Sequence, residues 1–83
     1  MDNVELYRRV EWVTKSWNPS HLEVRIEDRD ILHLLVVSEQ FVGIPFTKRF
    51  AQLSQLFEDR GADIAKEFTL IFEAWTTAEF AKI

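Results

Sequence analysis

The side chains able to do chemistry are few and scattered in this 83-residue chain. His21 and His33 are its only histidines, and it contains no cysteine. Two imidazoles without a third converging donor make no metal site. Ser16, Ser20, Ser38 and Ser54 have no histidine at a fixed spacing, so no nucleophile–base pair stands out. Gly43 and Gly61 are the only glycines, which leaves neither a glycine-rich phosphate loop nor the Gly-x-x-Gly clamp used on RNA backbone. Catalysis and a bound cofactor are therefore not expected. Recognition is the remaining chemistry, and two sets of residues suit it. Lys48 and Arg49, with Arg60 further on, are the positive groups a nucleic acid would use, but Glu58 and Asp59 follow closely and the net charge is −4. Trp12, Leu35, Val37, Ile71 and Trp75 are the apolar groups a protein partner would cover.

Composition sets limits on the elements that must carry these residues. Apolar residues make up 47% of the chain and charged ones 29%, proportions that fit a folded domain rather than disorder. Without disulfides, a chain this short depends on its apolar core. No apolar run approaches the roughly 18–20 residues of a membrane span, and the polar Met-Asp-Asn-Val-Glu start lacks a signal-peptide pattern. One domain over residues 1–83, in the cytoplasm, is the expectation, as a monomer or weak dimer.

Periodicity gives the element order. Leu6, Val10, Val13 and Trp17 form one helical stripe over residues 3–17, with Asp2 or Asn3 as N-cap and Asn18-Pro19 as the stop. Trp12 falls opposite that stripe, near Arg8, Arg9 and Ser16. His21 to Glu27 alternates, with Leu22, Val24 and Ile26 on one side, and Ile31 to Ser38 reads as a second, more apolar strand. The polar Asp28-Arg29-Asp30 turn between them fixes the register by parity. Leu22, Val24 and Ile26 share a face with Leu32, Leu34 and Val36 only if Ile26 lies opposite Leu32, which places Arg25 opposite His33.

Pro45 suits the first turn of the next helix. Phe46, Phe50, Leu53 and Phe57 then suggest its buried stripe, with Gly61 as its C-terminal stop. Residues 62–67 suit a short turn. Phe68 to Trp75 reads as a third strand, with Ile71 and Trp75 outward together with Leu35 and Val37. Thr76 to Glu79 has the form of a capping box. The order α-β-β-α-(α)-β-α predicts a two-layer α+β domain with a three-stranded mixed sheet, helices on one face, and a right-handed parallel crossover between the second and third strands.

Several of these pieces, taken in order, resemble the BolA family: His21-Leu22-Glu23-Val24, Val36-Val37-Ser38, Phe41-x-Gly43, Arg49, and Ala74-x-Thr76-x-x-Glu79-Phe80. The resemblance covers about residues 4–80 and implies a single BolA-like domain with a fold similar to a type II KH domain. It also implies monothiol glutaredoxins as partners, a link to iron–sulfur cluster handling, and DNA binding in some members. The family's cluster ligands are a histidine on the second helix and a Cys or His in the loop between the first two strands. Phe50 stands at the first place and Asp28-Arg29-Asp30 at the second, so neither thiolate nor imidazole is offered there. The reading is a non-enzymatic interaction or regulatory module without iron–sulfur ligands of its own. Its alternative is nucleic-acid binding around Lys48, Arg49 and Arg60. Phe50 itself is expected to fill the core.

Overall fold

A computed structural model describes residues 2–83. Asp2 caps helix α1 (Asn3–Thr14), its Oδ1 accepting from the Glu5 backbone N–H at 2.8 Å. Leu6, Val10 and Val13 are buried as the stripe requires. The helix tightens into a 3-10 turn (Lys15–Trp17) and stops at Asn18, which takes the left-handed conformation at φ 47°.

Strands β1 (His21–Glu27) and β2 (Ile31–Val37) pair antiparallel with Ile26 opposite Leu32 and Arg25 opposite His33, the register that parity predicts. The three-residue turn achieves it by placing both Asp28 and Arg29 at positive φ (48° and 61°). β2 ends one residue earlier than expected. Ser38 leaves the strand because its hydroxyl accepts from the Gln40 N–H, starting a 3-10 turn (Glu39–Phe41).

Gly43 then turns the chain at φ 79°. Pro45 is the N-cap of helix α2 (Phe46–Arg60) rather than a residue of its first turn, since its ψ of 150° is still extended. Gly61 connects α2 to helix α3 (Ala62–Glu67). It ends α2 after Arg60 as the sequence suggests, though at φ −127° rather than in the left-handed conformation usual for a terminating glycine, so what a glycine supplies here is space. A Cβ there would lie 3.0 Å from Phe57 Cδ2 and 3.1 Å from Val13 Cγ2.

Strand β3 (Thr69–Trp75) pairs parallel with β2, giving a sheet in the order β1-β2-β3. The even-numbered strand positions other than Ile26 join Leu6, Val10, Val13, Leu53, Phe57 and Ile64 in the core, so α1, α2 and α3 cover one face. Ile26, expected among them, lies near the turn at the end of β1 and is 42% exposed. The closing helix α4 (Thr77–Phe80) is opened by the predicted capping box between Thr76 and Glu79. Phe80 reaches the other face, where it stacks on His21 at 5.0 Å. No helix among the described residues is long and apolar enough to cross a membrane.

The first turns of α2 depart from expectation, although Leu53 and Phe57 are buried as its stripe requires. Its buried residues are Arg49, Leu53 and Phe57, while Phe46 and Phe50 are 43% and 38% exposed. Phe50 is therefore not a core residue. The space that Phe46 and Phe50 were expected to fill is occupied from elsewhere: Phe41 is fully buried, stacks on Trp17 at 4.7 Å and packs with Val36, Leu53 and Ala74. With that end of the core filled from the preceding loop, Phe46 and Phe50 in the first turns of α2 are left outside it, and Arg49, one turn before Leu53, points inward.

Candidate protein-docking surface

Arg49 organises the junction of α2, β3 and α4. Its guanidinium is 4% exposed and donates from Nε to the Ile44 carbonyl at 2.7 Å. From Nη1 it donates to the Ala74 carbonyl at 3.0 Å and to Glu79 Oε1 at 2.6 Å. The planar fork suits these divergent acceptors in a way an ammonium could not. Glu79 also accepts from the Thr76 backbone N–H at 2.8 Å. The hydrogen bond from Arg49, then that from Thr76, hold the Glu79 carboxyl at about 2, well below its ordinary 4.5. These donors oppose the effect of its desolvation.

This arrangement corrects the nucleic-acid reading of Arg49. A guanidinium committed to two carbonyls and a carboxylate has no face left for phosphate. Lys48 and Arg60 remain exposed, but they lie twelve positions apart on α2, about 18 Å along the axis at the helical rise. The Arg60 carbonyl is in turn bonded by Arg9 Nη2 at 2.9 Å. The three cations that the sequence grouped do not converge.

Above Arg49 lies an exposed aromatic shelf. Phe46 sits 4.4 Å over the Arg49 guanidinium carbon and meets Trp75 edge-on, with ring centroids 5.5 Å apart. Phe50 adjoins Phe46 at 6.5 Å. The guanidinium's attraction to the ring face fixes the inner side of Phe46 while its outer side stays open. Trp75 is half-buried, and its indole N–H has no hydrogen-bond partner among the described residues. Val42, in the turn before α2, is exposed as well.

The apolar set expected on the outer sheet face divides. Ile71 is exposed, and Leu35 and Trp75 are half-buried. Val37 is not available to a partner: it is 1% exposed, flanked in its cross-strand row by His21 and Trp75, with Phe80 stacked on His21. The middle of that face is ionic. His33 Nε2 lies 2.6 Å from Glu73 Oε2, and its Nδ1 lies 3.2 Å from both Glu27 and Arg25. Which of these two Nδ1 meets depends on the tautomer. Trp12 is exposed on α1, in the helical layer, with the Arg9 guanidinium 5.0 Å from its ring. Arg9, one of the two arginines expected beside it, is anchored there by Asp63 at 2.9 Å. Trp12 does not join Ile71 and Trp75 in one surface.

The residues that sequence reasoning missed are Phe46 and Phe50 as an exposed pair, and Glu79 as the partner of Arg49. The second had a local signal in the capping box, but nothing local links it to a residue 30 positions earlier.

The architecture is thus a two-layer α+β module in which three helices back a mixed three-stranded sheet. That architecture is BolA-like. The chain is similar to the BolA domain of SufE1 from Arabidopsis thaliana, with a TM-score of 0.72 and 24% identity over 95% of this chain and 99% of that one. It is similar also to BolA1 from Arabidopsis thaliana, with a TM-score of 0.71 and 20% identity over 95% and 98% of the two chains. No family model and no curated protein matches the sequence.

Proposed function

We propose that this chain is a non-enzymatic, BolA-like interaction module that docks a protein partner through the shelf of Val42, Phe46, Phe50 and Trp75. The observation that supports this reading is the exposure of Phe46 and Phe50 in the first turns of α2. Two phenylalanines on an amphipathic helix lie outside the core and form one patch with Trp75. Contiguous exposed aromatics of this kind mark interaction sites, and aromatic anchors dominate binding energy where they cluster. Arg49 supports the patch from beneath without being exposed itself, so the contact depends on apolar burial more than on charge.

The resemblance to BolA proteins makes a monothiol glutaredoxin the partner to test. Phe50, at the place where the family has a histidine, lies on the same shelf. In this reading the position keeps a contact role and gives up the metal. Titration calorimetry with a monothiol glutaredoxin tests both parts. The double variant Phe46→Ser, Phe50→Ser should weaken binding at least about tenfold, the loss of one or two aromatic anchors, with its melting temperature little changed. Equal binding by the variant would overturn the surface. No binding by the wild type would overturn this choice of partner. A visible iron–sulfur spectrum that requires a side chain of this protein would overturn the absence of ligands.

A further inference from the structure

The two edges of the sheet differ. β1, at one edge, carries Glu23, Arg25 and Glu27, which are all exposed. Charged residues alternating along an edge discourage the addition of another strand. β3, at the other edge, reads Thr-Leu-Ile-Phe-Glu-Ala-Trp, with a single charge at Glu73. Hydrogen bonding on its inner side is fixed by two observations: the Thr69 N–H donates to the Asp30 carbonyl at 2.7 Å, and the Trp75 carbonyl accepts from Ser38 at 2.9 Å. In a parallel pair the residues bonded to one neighbour alternate, so Thr69, Ile71, Glu73 and Trp75 face β2. The backbone groups of Leu70, Phe72 and Ala74 face outward.

At Ala74 the outward carbonyl is taken by Arg49. Leu70 and Phe72 keep N–H and C=O groups with no hydrogen-bond partner among the described residues. The open section of the edge is thus short and bounded, with two bonding residues and Ile71 between them.

We propose that this section pairs antiparallel with the same section of a second copy of the chain, about a two-fold axis at Ile71. Only this register lets both bonding residues of each copy meet. Leu70 of one copy exchanges two hydrogen bonds with Phe72 of the other, and the symmetry repeats the exchange. Ile71 then faces Ile71 of the second copy in the closer, non-hydrogen-bonded position, which covers a large apolar side chain that is otherwise 43% exposed. Glu73 lies opposite Thr69, so the lone charge meets no like charge. A register shifted by two residues toward the C-terminus would require the Ala74 carbonyl that Arg49 occupies. One shifted the other way would place Glu73 opposite Glu67. The interface spans residues 69–73 of β3, and Trp75, the one member of the aromatic shelf on that strand, lies outside this span, so the interface stands apart from the docking reading above.

The absence of cysteine makes the register directly measurable. In an antiparallel non-hydrogen-bonded pair the Cα atoms are about 4.5 Å apart, within the span of a disulfide. An Ile71→Cys variant should therefore cross-link to itself under mild oxidation. A Thr69→Cys variant should cross-link at least about tenfold more slowly, its two sulfurs being held roughly four residue rises apart. Equal rates for the two would overturn the register. In sedimentation velocity, Thr69→Lys, placed opposite Glu73 of the second copy, should tighten self-association, and Ile71→Lys should abolish it. A wild-type chain that stays monomeric up to about 1 mM, the weakest affinity worth calling binding, would overturn the interface itself.

Discussion

Replacing Arg49 by methionine removes four hydrogen bonds, two of them to Glu79, while keeping most of the side chain's apolar stem. The Ile44 and Ala74 carbonyls lose donors at 2.7 and 3.0 Å, and the second of these bonds is buried. A hydrogen bond to a charged group contributes about 1.5–3 kcal/mol, so these two alone amount to about 3 kcal/mol at the low end. The Glu79 contact is left out of this figure because its carboxylate is open to solvent. A domain of this length has a total stability of about 4–12 kcal/mol at the usual value per residue. The loss is therefore a large fraction of the whole. With a urea slope of about 1 kcal/mol per molar for a small protein, the midpoint should fall by about 3 M. Far-ultraviolet circular dichroism through a urea titration measures it. Lys48→Met, one residue earlier and exposed, is the control and should change stability by less than about 0.5 kcal/mol. If Arg49→Met and Lys48→Met have similar midpoints, Arg49 is a surface residue and the account of this junction is wrong. Arg49→Lys should recover only a small part of the loss, since one ammonium cannot reach three divergent acceptors.

Other perturbations have equally definite outcomes. Phe50→Ala should cost less than about 1 kcal/mol in thermal or chemical melts, against about 3–5 kcal/mol for Phe57→Ala at the fully buried position two turns further along the helix. Comparable losses would restore Phe50 to the core. Gly61→Ala brings a methyl against Phe57 and Val13, and the overpacking outweighs the entropic gain of removing a glycine. A net loss of about 1 kcal/mol is expected, and a stabilised variant would show that the neighbours yield freely. The Glu79 carboxyl titrates lower in the folded protein than in the unfolded chain. Its contribution is then complete above pH 4.5 and fades as the pH falls towards about 2. The difference in melting temperature between wild type and Glu79→Gln should therefore narrow over that interval, and a difference independent of pH would contradict the Arg49–Glu79 linkage.

Local pattern alone determined much of this fold. The stripe of α1, the parity that places Ile26 opposite Leu32, and the Thr76–Glu79 capping box involve residues a few positions apart or joined by one short turn. For such features the period of the backbone and the length of a loop leave one arrangement, and the structure has it. The parallel crossover followed from the intervening helix in the same way, although its offset did not. That offset puts His33 beside Glu73 across the sheet, and no short loop connects β2 to β3 to set it.

The candidate site depended on distant contacts. The stripe of α2 shows which side of the helix faces the sheet but not how far along it the core reaches, so its own sequence could not decide whether Phe46 and Phe50 are covered. That was decided by Phe41 filling the core from the preceding loop and by Arg49 finding acceptors on β3 and α4. The burial of Val37 similarly depended on the His21 and Trp75 side chains beside it and on the return of Phe80 over that end of the sheet. The sequence by itself specified which elements form and how the hairpin pairs. The tertiary structure decided which aromatics face solvent, because how much of a helix's apolar stripe is covered depends on the shape and polarity of what packs against it.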